Sequence, residues 1–218
     1  MVLEHWHDRW RRNEIGFHQN EVNPYLLRHW ARLRLERRAP VFVPLCGKSR
    51  DMLWLYEQGH PVTGVDISPI AVRDFFAEAE LAAKALDDPP FSGMAHDHLR
   101  LLCGDYFDLR PRHIGGAEAV YDRAALIALP KDVRRRYVDH LAQLLGGEVR
   151  MLLISVDYPP GDMNGPPFPV TEEEVMALYG GRWKVERLER ADMLDVNPRF
   201  REKGLTRFEE SVYLSRPQ

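Results

Sequence analysis

The chain has 218 residues, 44% hydrophobic and 29% charged, with 30 Lys plus Arg set against 33 Asp plus Glu for a formal net charge of -3. A chain of this length and mixture buries a full core without metal or disulfide staples, which excludes peptide-like, fibrous and disordered readings. The charge balance offers no global positive field to nucleic acid or anionic lipid, and no run approaches the roughly 18 apolar residues of a membrane span.

The first 40 residues precede any strand-like run and hold Trp6, Trp10, Ile15, Phe17 and Trp30, a high aromatic density for an extension. Two roles fit that density: covering the edge of a sheet, or closing over the crevice at the strand ends where open α/β sheets bind ligands. Met1 to Arg12 carries Glu4, Asp8 and three Arg in place of an apolar stretch, so it does not read as a secretory signal. The basic runs Arg28 to Arg38 and Arg134 to Arg136 alternate with apolar residues in a helical rhythm and read as solvated helix faces. Two cysteines, Cys46 and Cys103, suit a reducing compartment, and a cytoplasmic enzyme or binding protein is expected.

Val41 to Leu45 is a short apolar run, and Asp51 to Gln58 then sets Met52, Leu55 and Tyr56 on one helical face ended by Gly59. Val62 to Ile67 reads as a second strand. Ser68 and Pro69 cap and open a helix expected to run to about Ala85. Asp87 to His98, rich in Asp, Pro and His, reads as a loop before a third strand, Leu99 to Cys103. Ala117 to Tyr121 is the fourth strand, followed by a helix bearing Tyr137, Leu141, Leu144 and Leu145 and stopped at Gly146 and Gly147. Val149 to Val156 is the fifth, and its unbroken apolar run predicts burial on both faces near the sheet centre.

Beyond Asp157 a proline-rich loop leads to Thr171 and Glu174, a capping box for a helix through Tyr179. Trp183 to Glu189 and Phe208 to Leu214 read as strands able to pair as an antiparallel hairpin. Together these predict a single α/β domain over residues 1–218: an open, mostly parallel, Rossmann-like sheet of about seven strands with helices on both faces.

Gly47, Lys48 and Ser49 resemble the end of a phosphate-binding loop, but Phe42 stands where its first glycine belongs, and the GxGxxG dinucleotide fingerprint is also absent. A nucleotide hydrolase or a nicotinamide oxidoreductase is therefore disfavoured. Asp66, ending the second strand about 20 residues after the first turn, stands where a carboxylate accepts both hydroxyls of a ribose, an N-capping or solvated aspartate being the equally common alternative. An adenosine without a pyrophosphate fits, and S-adenosylmethionine is such a ligand. Asp105 follows the third strand, where it caps a turn or accepts from an adenine amino group, and Asp122 and Arg123 end the fourth, as a cofactor clamp or a surface ion pair. His5, His7, His96 and His98 form HxH pairs with no cysteine or carboxylate at ligand spacing, so no metal is expected, and Cys46 reads as a buried, inert thiol.

The stretches WHDRWRRNEIGFHQ at Trp6 to Gln19, VFVPLCGKS at Val41 to Ser49, YDRAALIALP at Tyr121 to Pro130, GPPFPV at Gly165 to Val170 and GLTRFEE at Gly204 to Glu210 resemble the thiopurine S-methyltransferase family, bacterial members more than animal ones. The resemblance implies a class I S-adenosylmethionine-dependent methyltransferase fold, with residues 1–40 as a helical lid over the cofactor site and 41–218 as the core. It assigns the cofactor, and the product S-adenosylhomocysteine, to Trp10, Leu45, Asp66, Asp105, Tyr106 and Arg123, with Asp105 and Tyr106 against the adenine. Phe17 borders the acceptor, and Asp122 and Arg123 are candidates for assistance with charge. Many members carry glutamate where Asp66 stands, and Ala79 to Leu99 does not align with the family pattern. The resemblance also implies a small-molecule thiol, or a selenium or tellurium compound in detoxification, as acceptor. Neither nucleic acid nor membrane is expected as a partner, and a monomer is expected because no apolar stripe is left over. A different small-molecule acceptor and a non-catalytic S-adenosylmethionine-binding protein are the alternatives.

Overall fold

The computed structural model describes residues 2–146 and 148–218, so the helix stop expected at Gly147 lies outside the described residues. The elements in chain order begin with α1 (Val2–Arg11), α2 (Pro24–His29), β1 (Val41–Val43), α3 (Arg50–Glu57), β2 (Val62–Asp66) and α4 (Pro69–Glu78). They continue with β3 (Lys84–Asp88), β4 (Phe91–His96), β5 (Leu99–Cys103), β6 (Ala119–Arg123), α5 (Lys131–Leu144) and β7 (Arg150–Asp157). The last are α6 (Glu172–Tyr179), β8 (Trp183–Asp192), α7 (Pro198–Glu202) and β9 (Glu209–Pro217).

The strands form one sheet in the order β3-β4-β5-β2-β1-β6-β7-β9-β8. The five from β5 to β7 are parallel, and an antiparallel pair flanks them on each side. The sheet therefore has nine strands where the sequence predicts about seven. The additional pair, β3 and β4, lies in the segment read as the end of a helix and a loop. Helix α4 stops at Glu78, because Glu80 takes a left-handed conformation at φ 55° and breaks the hydrogen-bond ladder. Strand β3 escapes detection because it is an edge: Lys84–Asp88 is mostly exposed and needs no apolar alternation.

The C-terminal hairpin forms as expected, with Val185 opposite Ser215 and a bulge between Arg187 and Glu189. Strand β7 is buried on both faces but is not central. It sits seventh of nine, and the antiparallel β9 shields the side that another parallel strand was expected to cover.

Alternation along the strands divides the core into two layers. Phe42, Val120 and Leu153 point to the face packed by Tyr137, Leu141, Val175 and Leu178 of α5 and α6. Val43, Leu101 and Ile154 point to the face covered by Leu26, Met52, Leu55 and Phe75 of α2, α3 and α4. Local caps fix where those helices begin. The Ser49 hydroxyl accepts from Asp51 N at 3.2 Å, and the Ser68 hydroxyl from Ala71 N at 3.4 Å. Only half of the expected capping box forms at α6: Thr171 accepts from Glu174 N, but the Glu174 carboxylate turns away to Arg134 at 2.8 Å. Arg134 is accordingly 2% exposed and not on a solvated face as its run suggested. Its guanidinium also donates to the carbonyls of Leu129 and Pro169, tying α5 to the proline-rich loop.

The aromatic N-terminal segment divides its tasks. Trp30 covers the sheet, its indole N–H donating to His60 Nε2 at 3.1 Å and its ring meeting the edge of Tyr121. Trp6, Trp10 and Phe17 lie instead over the C-terminal ends of the strands.

Candidate active site

The C-terminal ends of β1, β2, β6 and β7 open into one cavity of about 480 Å³. At one end, β1 breaks into a turn in which Leu45 and Gly47 both take left-handed conformations, at φ 46° and 54°. The turn is tied to β2, with Cys46 N donating to the Val65 carbonyl at 2.9 Å. Strain at Leu45, a residue that pays a steric cost for positive φ, is the kind of feature that collects at ligand sites. Gly47 has a second reason to lack a side chain: a Cβ there would stand 3.3 Å from the Trp10 ring.

Asp66 closes this end. One carboxylate oxygen accepts from Gly47 N at 2.8 Å and the other from Ser68 N at 2.9 Å, which fixes the group at the mouth of β2. Burial raises its pKa to about 6, and those two N–H donors limit the rise. Asp105 caps the turn after β5 through Phe107 N at 2.9 Å while also lining the cavity, so the two roles considered for it are compatible. Tyr106 lies beside it, its hydroxyl donating to the Tyr137 carbonyl at 3.1 Å and its ring forming part of the wall. Arg136 stacks its guanidinium 3.9 Å over Phe107. Lys48 is no phosphate ligand, since its amine pairs with Glu78 of α4. Cys46 is buried, and desolvation pushes its thiol well above the usual range, as suits an inert packing group.

The other end is aromatic and cationic. Phe17 meets the edges of Trp6 and Trp10 at ring-centre distances of 5.6 and 5.7 Å. Arg123, ending β6, donates to the Phe17 carbonyl at 3.4 Å and stands 4.0 Å from Asp51. Asp51 is 1% exposed and accepts from Asn23 N at 2.7 Å and from the Tyr121 hydroxyl at 2.9 Å, so one buried carboxylate joins the N-terminal segment, α3 and β6. Arg199 of α7 completes the end by donating to the Gly16 carbonyl. Phe208, just before β9, and Glu210, near its start, also line the cavity.

Trp10, Phe17, Leu45, Asp66, Asp105, Tyr106 and Arg123 thus all line the one cavity. Asp122 does not. It is 0% exposed, accepting from the Tyr137 hydroxyl at 2.7 Å and from Leu126 N at 3.2 Å, and burial raises its pKa to about 6. Strand alternation explains the division: successive side chains point to opposite faces, so Arg123 enters the cavity and Asp122 enters the layer beneath α5. Arg199 and Glu210 are site residues that sequence reasoning missed. The GLTRFEE stretch was the available signal for the second. Among the described residues, no three His, Cys, Asp or Glu side chains are placed to hold a metal ion.

A sequence profile described as Thiopurine S-methyltransferase matches residues 1–218. The chain belongs to the thiopurine S-methyltransferase family. Its relatives include proteins of that name from Nitrosospira multiformis, 49% identical over 98% of this chain and 97% of the relative, and from Pseudomonas paraeruginosa, 49% identical over 98% of both. A third, from Marinobacter nauticus, is 46% identical over 94% of each chain.

The fold is shared more widely than the thiopurine S-methyltransferase family. The 1,6-didemethyltoxoflavin-N1-methyltransferase of Burkholderia thailandensis, solved with S-adenosylhomocysteine, superposes with a TM-score of 0.65 at 16% identity, covering 100% of this chain and 87% of the other. A SAM-dependent methyltransferase from Anabaena variabilis gives 0.63 at 15% identity, over 100% and 96% of the two chains. The methyltransferase fold expected from the family resemblance is therefore present, with two more strands than expected.

Proposed function

We propose that this protein transfers the methyl group of S-adenosylmethionine to the sulfur of aromatic or heterocyclic thiols. The observation that carries the reading is a single cavity with a ribose-type carboxylate, Asp66, at one end and an aromatic chamber bearing Arg123 and Arg199 at the other. The donor set suits the cofactor: a carboxylate for two hydroxyls, Asp105 and an apolar slot of Tyr106, Phe107 and Leu129 for adenine, and no glycine-rich nest for phosphate. When bound, the cofactor supplies a methyl group already activated by its sulfonium.

The chain's own residues then need to position and shield. Trp10 and Phe17 close over the cavity and keep water from the nucleophile. Arg123 and Arg199 hold the incoming sulfur anion by charge, and the aromatic wall keeps its ring in line for displacement, a gain of several kcal/mol through orientation. No helix among the described residues is long and apolar enough to cross a membrane. Selenium and tellurium nucleophiles, softer than sulfur, suit the same chamber, and a detoxifying role in the cytoplasm goes with them. Leu27 and Val196 are the only large apolar side chains exposed among the described residues, which supports a monomer.

The test is transfer of labelled methyl from S-adenosylmethionine to 6-mercaptopurine, beside selenite and an oxygen nucleophile. Transfer to sulfur that collapses in Asp66→Ala is the expected result. Tight S-adenosylhomocysteine binding with no transfer to any thiol rejects the acceptor.

A further inference from the structure

Glu209 and Glu210 are adjacent at the start of β9, and their surroundings differ sharply. Glu209 is paired, with Arg190 and Arg207 both on its carboxylate. Glu210 points the other way, into the cavity. It is opposite Val156 of β7 and Ala191 of β8, and so stands at the C-terminal edge of the parallel strands, where the reaction chamber lies. The groups facing it are the Tyr25 hydroxyl from α2, Arg123 from β6 and Arg199 from α7. Among the described residues it forms a salt bridge with neither arginine.

A half-buried carboxyl flanked by cations but in a salt bridge with none, with the Tyr25 hydroxyl beside it, loses hydration without the compensation a structural ion pair gives. Burial holds its carboxyl above the usual range, and the two guanidinium groups and the Tyr25 hydroxyl restrain that rise. The position is thus matched to a ligand that brings a proton to it.

We propose that Glu210 is the proton acceptor for the sulfur nucleophile, an assignment that rests on the thiol-acceptor reading above. The thiol S–H, or the ring N–H of its thione tautomer, gives its proton to the Glu210 carboxylate. A sulfur lone pair forms the new S–CH3 bond while the electrons of the old bond return to the cofactor's sulfur. The product is a neutral thioether, and the proton held on Glu210 passes to water when the product leaves. Nothing is oxidised or reduced. Arg123 and Arg199 hold the sulfur anion during the interval, when Glu210 is protonated and neutral and the single negative charge lies on sulfur.

The test compares wild type, Glu210→Gln and Glu210→Asp on three thiols: a nitro-substituted thiophenol already ionised at neutral pH, 6-mercaptopurine, and benzyl mercaptan, whose SH on an sp3 carbon stays protonated at neutral pH. The measurements are kcat and KM for each, with S-adenosylhomocysteine affinity by calorimetry to verify the fold. Glu210→Gln is expected to lower kcat by about 100-fold on benzyl mercaptan, the size of a positioned base's contribution, and least on the nitro compound. Glu210→Asp recovers part of the loss, and S-adenosylhomocysteine affinity holds. An equal loss on all three thiols, or no loss, overturns the assignment. Wild type inert towards all three overturns the thiol reading itself, a result distinct from either.

Discussion

The two ends of the cavity are built in different ways. The end around Asp66 is made by turns that immediately follow β1, β2 and β5, held by backbone N–H groups that donate to aspartate side chains, Gly47 and Ser68 N to Asp66 and Phe107 N to Asp105. The end around Arg199 is assembled from Phe17, Arg123, Arg199 and Glu210, which come from far apart in the chain and meet through side chains. The first is fixed by the sheet itself. The second is fixed by what packs onto the sheet, so it can change while the core stays the same. That difference accords with a fold shared at 16% identity with an enzyme named for methylating nitrogen.

If the two ends are energetically separate, substitutions should divide cleanly between them. The largest effect is expected from Asp66→Ala, which removes charged hydrogen bonds worth about 1.5–3 kcal/mol each and should weaken S-adenosylhomocysteine about 100-fold in calorimetry. Equal damage to acceptor binding in the presence of saturating cofactor would break the separation.

A smaller effect comes from pH. In the role proposed for Asp66 the ionised form accepts two hydroxyls, and burial raises its pKa to about 6. S-adenosylhomocysteine affinity should therefore rise as pH increases through 6 and level off above it, with about a tenfold difference between pH 5 and pH 8. Asp66→Asn should flatten the curve, and a curve that survives that substitution assigns the titration elsewhere.

Phe17→Ala tests the opposite end. It should raise the acceptor KM about fivefold through lost ring contact while leaving cofactor affinity nearly unchanged. An unchanged acceptor KM removes Phe17 from the chamber. The smallest effect is Gly47→Ala. A residue with a Cβ at φ 54°, pressed 3.3 Å from Trp10, should cost about 1 kcal/mol, read as a few-fold loss in cofactor affinity with no shift in acceptor KM.

This asymmetry also governs what could be read from the amino-acid order. The acid ending β2 is contiguous with an apolar strand run, so periodicity places Asp66 directly, whereas Leu45 reads as strand, stands in the turn beyond Val43, and owes its site assignment to the family resemblance. Arg199 carried no such mark, because its role depends on α7 folding back until the guanidinium reaches Gly16. The β3–β4 pair was illegible for another reason: Lys84–Asp88 has one neighbour strand and much solvent, and so shows little apolar alternation. Strand β7 was legible as buried but not as off-centre, since burial is the same whether a parallel or an antiparallel strand lies alongside. Arg134 and Asp122 show the limit for charged residues. Each is buried because partners exist in three dimensions: Glu174 and two carbonyls for the arginine, Tyr137 and Leu126 N for the aspartate.

The contact between Gly16 and Arg199 has a consequence for how the protein comes into being. During synthesis on the ribosome, β1, β2 and β5 emerge early, with every residue that surrounds Asp66. Arg199 and Glu210 emerge long afterwards, and β9 must slide in beside β7 before either reaches its place. A nascent chain released from the tunnel only as far as β7 has the turns around Asp66 in hand but one wall of the opposite chamber missing. The unpaired edge of β7 is then an adhesive surface for any other extended segment. Completion of the last strand therefore does two jobs in one event, sealing that edge and delivering the final wall of the chamber.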